Sequence, residues 1–164
     1  KMSKDCRETA LRYLERRART AYEVKARLLS KGFSEEEVAE TLRYLQELGY
    51  LDDAGYCGEY IRYGMEKGRG PLRLQAELAE KGIDAALIRG LLAAAFDMQS
   101  EKDAAMGVAY KILKNDTNVT SEEEPDLAKT GRPDEKTVAR IGRKLASLGY
   151  HDEVIDEVIG RLIG

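Results

Sequence analysis

The chain has 164 residues, 43% of them hydrophobic and 35% charged, enough for one ordinary domain or a few small repeated units with a real core. Lys plus Arg number 27 against 30 Asp plus Glu, a formal net charge of −3, so any contact with nucleic acid would need a local basic patch. Two cysteines without a Cys-x-x-Cys pair, and a single histidine, argue against a disulfide framework, a histidine metal site or a His-dependent triad. No run approaches the roughly 20 apolar residues of a membrane span. The start has no apolar core of the signal-peptide kind, and Lys1 ahead of Met2 suggests a trimmed beginning.

Apolar spacing predicts a first helix over Asp5 to Ala18, with Ala10, Leu11, Leu14 and Ala18 on one face. A second carries Val24 and Leu28 and ends at Gly32. A third starts behind Ser34, a capping box with Glu37, and carries Val38 and Leu42. It ends at Gly49, where Tyr50 and Leu51 are expected to pack back and Asp52 or Asp53 to cap the next helix. That helix runs from Asp53 to Lys67, with Tyr56, Tyr60, Ile61 and Met65. Pro71 sits in the first turn of a helix bearing Leu74 and Leu78, which ends at Gly82. Asp84 caps the next, with Ile88 and Leu92. A helix over about Ser100 to Leu113 follows, and then Ile141 and Leu145 lead to Gly149. His151 is a weak cap, with Asp152 as its alternative, for a last helix with Ile155 and Ile159.

These elements repeat. Aligned on Gly32, Gly82 and Gly149, the positions eight and four before, and one, six and ten after, are apolar in all three copies. Each glycine fits the C′ site that ends a helix with positive φ, and the apolar residue after it fits the contact back onto that helix. The chain therefore reads as all-α: three tandem three-helix repeats with helix-turn-helix-like hairpins, over 1–51, 52–98 and 99–164. An elongated, curved molecule is expected. The third repeat holds an insertion over about 115–133, rich in Asp, Asn, Thr, Glu and Gly, expected to be an acidic mobile loop.

Four strings carry a specific resemblance: Lys31-Gly32-Phe33, Leu48-Gly49-Tyr50-Leu51-Asp52-Asp53, Lys67-Gly68-Arg69-Gly70-Pro71, and Glu77-Leu78-Ala79-Glu80-Lys81-Gly82-Ile83. In order and spacing they resemble the RecX family of recombination regulators, strongly from about Ala10 to Leu92 and only by repeat pattern beyond Gln99. The resemblance implies a non-enzymatic, cytoplasmic protein without cofactor. It implies binding to RecA filaments on single-stranded DNA, and damping of RecA ATP hydrolysis, strand exchange and co-protease activity. Direct DNA contact, single- or double-stranded, is expected to be weak, because this chain is slightly acidic where many family members are basic. A monomer is expected. The residues alone leave two other readings open: a tandem helix-turn-helix DNA binder, and a helical adaptor for another protein.

Residues 1–51 hold 11 basic and 9 acidic side chains, a net of +2, against −2 for 52–98 and −3 for 99–164. Within this surplus Arg12, Arg16 and Arg19 share helical spacing with Arg17 beside them, and Lys25, Arg27 and Lys31 follow. They suit a phosphate or an acidic partner, or else form a solvated face with pairs such as Glu8–Arg12 and Glu23–Arg27. Lys67 and Arg69 precede a helix start, where an anion is favoured. Their spacing is not that of a nucleotide-binding P-loop, and a simple glycine linker would look the same. Tyr56, Tyr60 and Tyr63 could stack on bases, but packing explains them as well, and Tyr13 and Tyr63 hold similar places in their repeats. Glu122-Glu123-Glu124 reads as a solvated run rather than a metal site. No nucleophile–base pair is visible.

Overall fold

The computed structural model describes residues 2–117 and 122–164, with the side chains of residues 2–4 and 130 left aside. The helices are α1 (Met2–Arg16), α2 (Ala21–Ser30), α3 (Glu35–Glu47), α4 (Asp53–Glu66), α5 (Pro71–Glu80) and α6 (Ala85–Ala95). After them come α7 (Met98–Thr117), the one-turn α8 (Leu127–Thr130), α9 (Glu135–Leu148) and α10 (Asp152–Ile163). No strand occurs among the described residues, so the fold is all-α with tandem helical repeats. The insertion is not wholly loop, since α7 runs to Thr117 and α8 lies inside it. Its residues 118–121 fall outside the described set. No described helix is long and apolar enough to cross a membrane.

Three turns explain the repeat pattern. At each of them Gly32, Gly82 and Gly149 have φ of 90°, 77° and 94°. The next residue's N–H reaches back to Leu28, Leu78 or Leu145 at 3.2–3.4 Å, and the glycine's own N–H to Leu29, Ala79 or Ala146 at 3.0–3.1 Å. This is the Schellman bond pair, which satisfies carbonyls that a helix end would orphan. Twelve of the fifteen aligned apolar side chains are buried. Phe33, Leu42 and Ile159 are partly buried against the same cores.

The chain divides into two compact units, Lys1–Tyr60 with Glu77–Leu91, and Ile61–Ala76 with Leu92–Gly164. In the first, Cys6 and Ala10 of α1 meet Val24 and Leu28 of α2 and Val38 and Leu45 of α3. In the second, Ala105, Met106, Ala109 and Leu113 of α7 meet Ile141 and Leu145 of α9, and Val154, Val158 and Leu162 of α10. Both thiols are fully buried, and burial pushes Cys6 and Cys57 up, which keeps them protonated and unreactive.

Each unit contains one joint of the same design, in which the start of a second helix seats on a glycine turn. In the first unit Thr20 caps α2 in a reciprocal box with Glu23, and its hydroxyl donates to the Lys81 carbonyl at 2.7 Å. Ala21 N–H donates to the Asp53 carboxylate at 2.9 Å, and the Tyr22 ring covers Gly82 so closely that a Cβ would lie 2.2 Å from it. In the second unit Gly70 N–H donates to Leu148 O at 2.7 Å and Leu72 N–H to Gly149 O at 2.9 Å. A Cβ on Gly149 would lie 2.3 Å from the Arg73 backbone nitrogen.

Some local expectations shift. Ser34 accepts from Glu37 N–H, but Glu37 turns to the Ser34 hydroxyl rather than its backbone, so the full box sits at Thr20 instead. Ala18 lies past the end of α1 and is exposed, because the chain turns there to bring Thr20 to its joint. Leu51 packs inward, but Tyr50 stays 57% exposed. Asp52 caps α4 through Gly55 N–H, which leaves Asp53 for the joint.

Gly149→Ala should cost more than about 3 kcal/mol, since positive φ and a backbone clash act together. Gly32→Ala, with nothing within 4 Å, should cost only about 1 kcal/mol. Urea unfolding of the two variants checks this. Equal losses would mean that the joint is not seated as described.

Candidate functional site

The basic residues of the first repeat converge on a cleft of about 560 Å³ lined by Thr9, Arg12, Tyr13, Arg16, Arg19, Arg27 and Lys31. No carboxylate lines it. Four-residue spacing on α1 brings Arg12 and Arg16 to one face. Arg19 arrives by another route than the expected shared helix: α1 ends at Arg16, and the linker folds Arg19 back so that its guanidinium lies 4.1 Å from the Tyr13 ring centre. Arg27 of α2 approaches the same ring at 5.4 Å. Lys31 comes from the turn at Gly32.

The remaining candidates lie elsewhere. Arg17 is 4.0 Å from Glu23, a long pair whose Arg17 side chain is 57% exposed and whose Glu23 side chain is 18% exposed. Glu23 is thereby committed to Arg17 and to the Thr20 cap rather than to Arg27. Lys25 is exposed on α2 and does not line the cleft. In the other unit, Lys67 and Arg69 stand 5.4 and 5.8 Å from the Tyr63 ring. Their loop is held by the buried Tyr150, whose hydroxyl donates to Gly68 O at 2.8 Å. Gly70 is buried at the joint, with Lys67 exposed and Arg69 half-buried ahead of it, so glycine serves packing there.

Guanidiniums held together without a counter-charge repel one another, and an anion between them relieves that repulsion. Their planar forks match carboxylate or phosphate oxygens two at a time. Arg19 Nε is buried without an acceptor among the described residues. The cleft is therefore chemically an oxyanion receptor. Two other features carry no such chemistry. Tyr56 and Tyr60 stack on each other with centroids 6.2 Å apart, and Lys81 lies 5.4 Å from the Tyr60 ring. No group of three or more His, Cys, Asp or Glu able to hold a metal occurs among the described residues.

A third polar contact, like Thr20–Lys81 and Asp53–Ala21, had no signal in the sequence. Glu101 of α7 is 6% exposed and accepts from the His151 backbone N–H at 3.0 Å. Its carboxylate also meets His151 Nδ1 at 2.9 Å. His151 holds the N-cap position of α10 but makes no side-chain cap bond, because its ring is turned to Glu101. The two are 50 residues apart, beyond any local pattern.

Two family models match the chain: the first three-helix domain of RecX over residues 6–45 and the second over residues 52–92. The regulatory protein RecX of Vibrio vulnificus (strain CMCP6) is 31% identical over 127 residues, 77% of this chain and 80% of that protein. That of Clostridium botulinum (strain Alaska E43 / Type E3) is 29% identical over 154 residues, 94% of this chain but 66% of the relative. The chain thus spans just under two thirds of the clostridial protein's length. The crystal structure of RecX from Lactobacillus salivarius superposes with a TM-score of 0.77 at 23% identity, covering 99% of this chain and 97% of that one. At that identity the likeness speaks for the fold.

Burial, with the Glu101 charge adding to it, pushes the Tyr150 phenol up to about 12. The unfolded chain then loses this proton first, near pH 10. Stability is intact below that and falls by about 1.4 kcal/mol per pH unit until the folded group titrates near pH 12. Absorbance titration at 295 nm should show a late phenol that Tyr150→Phe removes. Burial also raises Tyr110, so a step near pH 12 that survives in Tyr150→Phe combined with Tyr110→Phe would count against this placement.

Proposed function

The chain belongs to the RecX family of regulatory proteins, and we propose that it binds RecA filaments on single-stranded DNA and lowers their activity. On this reading it acts in the cytoplasm on ATP hydrolysis, strand exchange and co-protease activity, in recombination, repair and the SOS response, without catalysis of its own. The observation that carries the reading, beyond family membership, is the cleft of Arg12, Arg16, Arg19, Arg27 and Lys31 on a chain of net charge −3. Concentrating cations at one place on an acidic molecule directs association through that place and repels polyanions elsewhere. A regulator needs only differential affinity for one state of its target, and a docking cleft without reactive groups supplies that.

RecA ATP hydrolysis on single-stranded DNA, titrated with this protein at two salt concentrations, tests the proposal. Inhibition well below one molecule per RecA protomer is expected, weaker at high salt because exposed charges are screened beyond about 8–10 Å. Arg12→Glu with Arg16→Glu should raise the half-inhibiting concentration about tenfold or more, equivalent to about 1.4 kcal/mol of lost binding. Undiminished inhibition by the folded double variant would remove the cleft from the contact. No inhibition by the unaltered protein would reject RecA as the target.

A further inference from the structure

The turn that receives α5 in the second unit has a near copy in the first unit, with nothing seated on it. Arg43, Leu45, Leu48, Gly49, Tyr50 and Asp52 return 100 residues on as Arg143, Leu145, Leu148, Gly149, Tyr150 and Asp152. The repeat does not explain this match, because it aligns Gly149 with Gly32 and Gly82 and not with Gly49. The backbones agree as well. Gly49 and Gly149 have φ of 80° and 94°. Their N–H groups donate to Gln46 O and Ala146 O at 3.1 Å, and those of Tyr50 and Tyr150 to Leu45 O and Leu145 O at 2.9 and 3.2 Å.

The two turns differ in what covers them. On the second, Gly70 N–H and Leu72 N–H donate to the Leu148 and Gly149 carbonyls, and Leu148 and Tyr150 are 7% and 2% exposed. On the first, nothing lies within 4 Å of the place of a Gly49 Cβ. No N–H reaches the Leu48 or Gly49 carbonyl among the described residues, and Leu48 and Tyr50 are 55% and 57% exposed. A helix end followed by a helix start accounts for the glycine and for the capping Asp52. It does not account for two large side chains standing in water on either side of the glycine, while Leu51 fills the inward place. The open turn also has a sign. α3 ends there with no basic residue in its last turn, so its carbonyl oxygens and the exposed Glu47 make the place negative. α9 has none either, and the segment seated on it carries Arg69 and Arg73.

We propose that the Leu48-Gly49-Tyr50 turn is a docking seat for a protein partner, taking a segment that opens a helix as Gly70-Pro71-Leu72 does on Gly149. The partner's segment places a small residue over Gly49, backbone N–H groups toward the Leu48 and Gly49 carbonyls, and a cation toward Glu47. Tyr50 offers the hydroxyl with which Tyr150 holds Gly68 O in the second unit. None of these residues lines the arginine cleft, and the seat does not require that the partner be RecA. A second copy of the chain is the weaker occupant, because its own segment of this kind is already seated on Gly149.

A labelled peptide of residues 67–80, the segment that Gly149 receives, is the probe, titrated with the full chain and read by fluorescence anisotropy. It should bind, with affinity reduced about fivefold or more by Tyr50→Ala and by Gly49→Ala. Tyr50 is exposed, so its variant keeps the fold, which circular dichroism checks. A peptide with Gly70→Val should fail to bind, since a Cβ there meets the Gly149 backbone at 2.6 Å in the second unit. Changing Arg69 and Arg73 of the peptide to Gln should weaken binding, by a factor that shrinks in high salt. Met98→Ala, at an exposed apolar residue of α7, should change nothing. No binding at millimolar peptide, undiminished binding in Tyr50→Ala, equal binding of the Gly70→Val peptide, or an equal loss in Met98→Ala overturns the proposal. So does self-association of the unaltered protein that Tyr50→Ala abolishes, since the occupant would then be a second copy.

Discussion

The structure depends on a helix ending that only glycine makes cheaply. At Gly82 and Gly149 the backbone takes a left-handed turn, closes two Schellman bonds, and leaves no side chain over the turn. The vacated space is then used. The chain entering a second helix lies directly on the turn, through Tyr22 at Gly82 and through Gly70 and Arg73 at Gly149. One residue type thus ends a helix, reverses the chain and provides a seat for another segment. Gly32 makes the same turn, but nothing lies within 4 Å of the place its Cβ would take.

This constraint also decides where the cations go. The linker between the first and second helix must reach its joint, so α1 stops at Arg16 and the chain turns to place Thr20 against Lys81. Arg19, one residue earlier, is thereby carried over Tyr13. In the second unit the same demand buries Gly70 and leaves Lys67 and Arg69 beside Tyr63, with the Tyr150 hydroxyl holding Gly68 between them. The course of the linkers thus sets where Arg19 and Arg69 stand, which helical periodicity alone does not.

How much could be read in advance follows from the range of each interaction. The glycine-centred apolar pattern is local and periodic, so the fold class, the three turns and nearly all of the inner face were legible. The convergence of Arg12, Arg16 and Lys31 was legible as a charge surplus. What was missed is long-range. Thr20 bonds across 61 residues to Lys81, Asp53 across 32 to Ala21, and Glu101 across 50 to His151, and none of these leaves a mark in a local window. Tyr50 misled for the opposite reason: its position after a glycine is the packing position elsewhere, but here Leu51 takes the inward role.

The third repeat shows what happens when the joint is kept and the surface is not. Its helix α9 has 14 residues where α2 and α5 have 10. No tyrosine–arginine pair is found there among the described residues, and the polar investment goes inward, to Glu101 with His151 and to Tyr150. A buried carboxylate held by the His151 backbone N–H and ring, and a buried phenol with its acceptor, specify one arrangement of α7, α9 and α10 at a cost that apolar residues would not incur. The same core reaches the loop of Lys67 and Arg69 through the Tyr150 hydroxyl on Gly68 O. Tyr150 is the link, since the side chain that fills the third core is the one that fixes the cation-bearing loop.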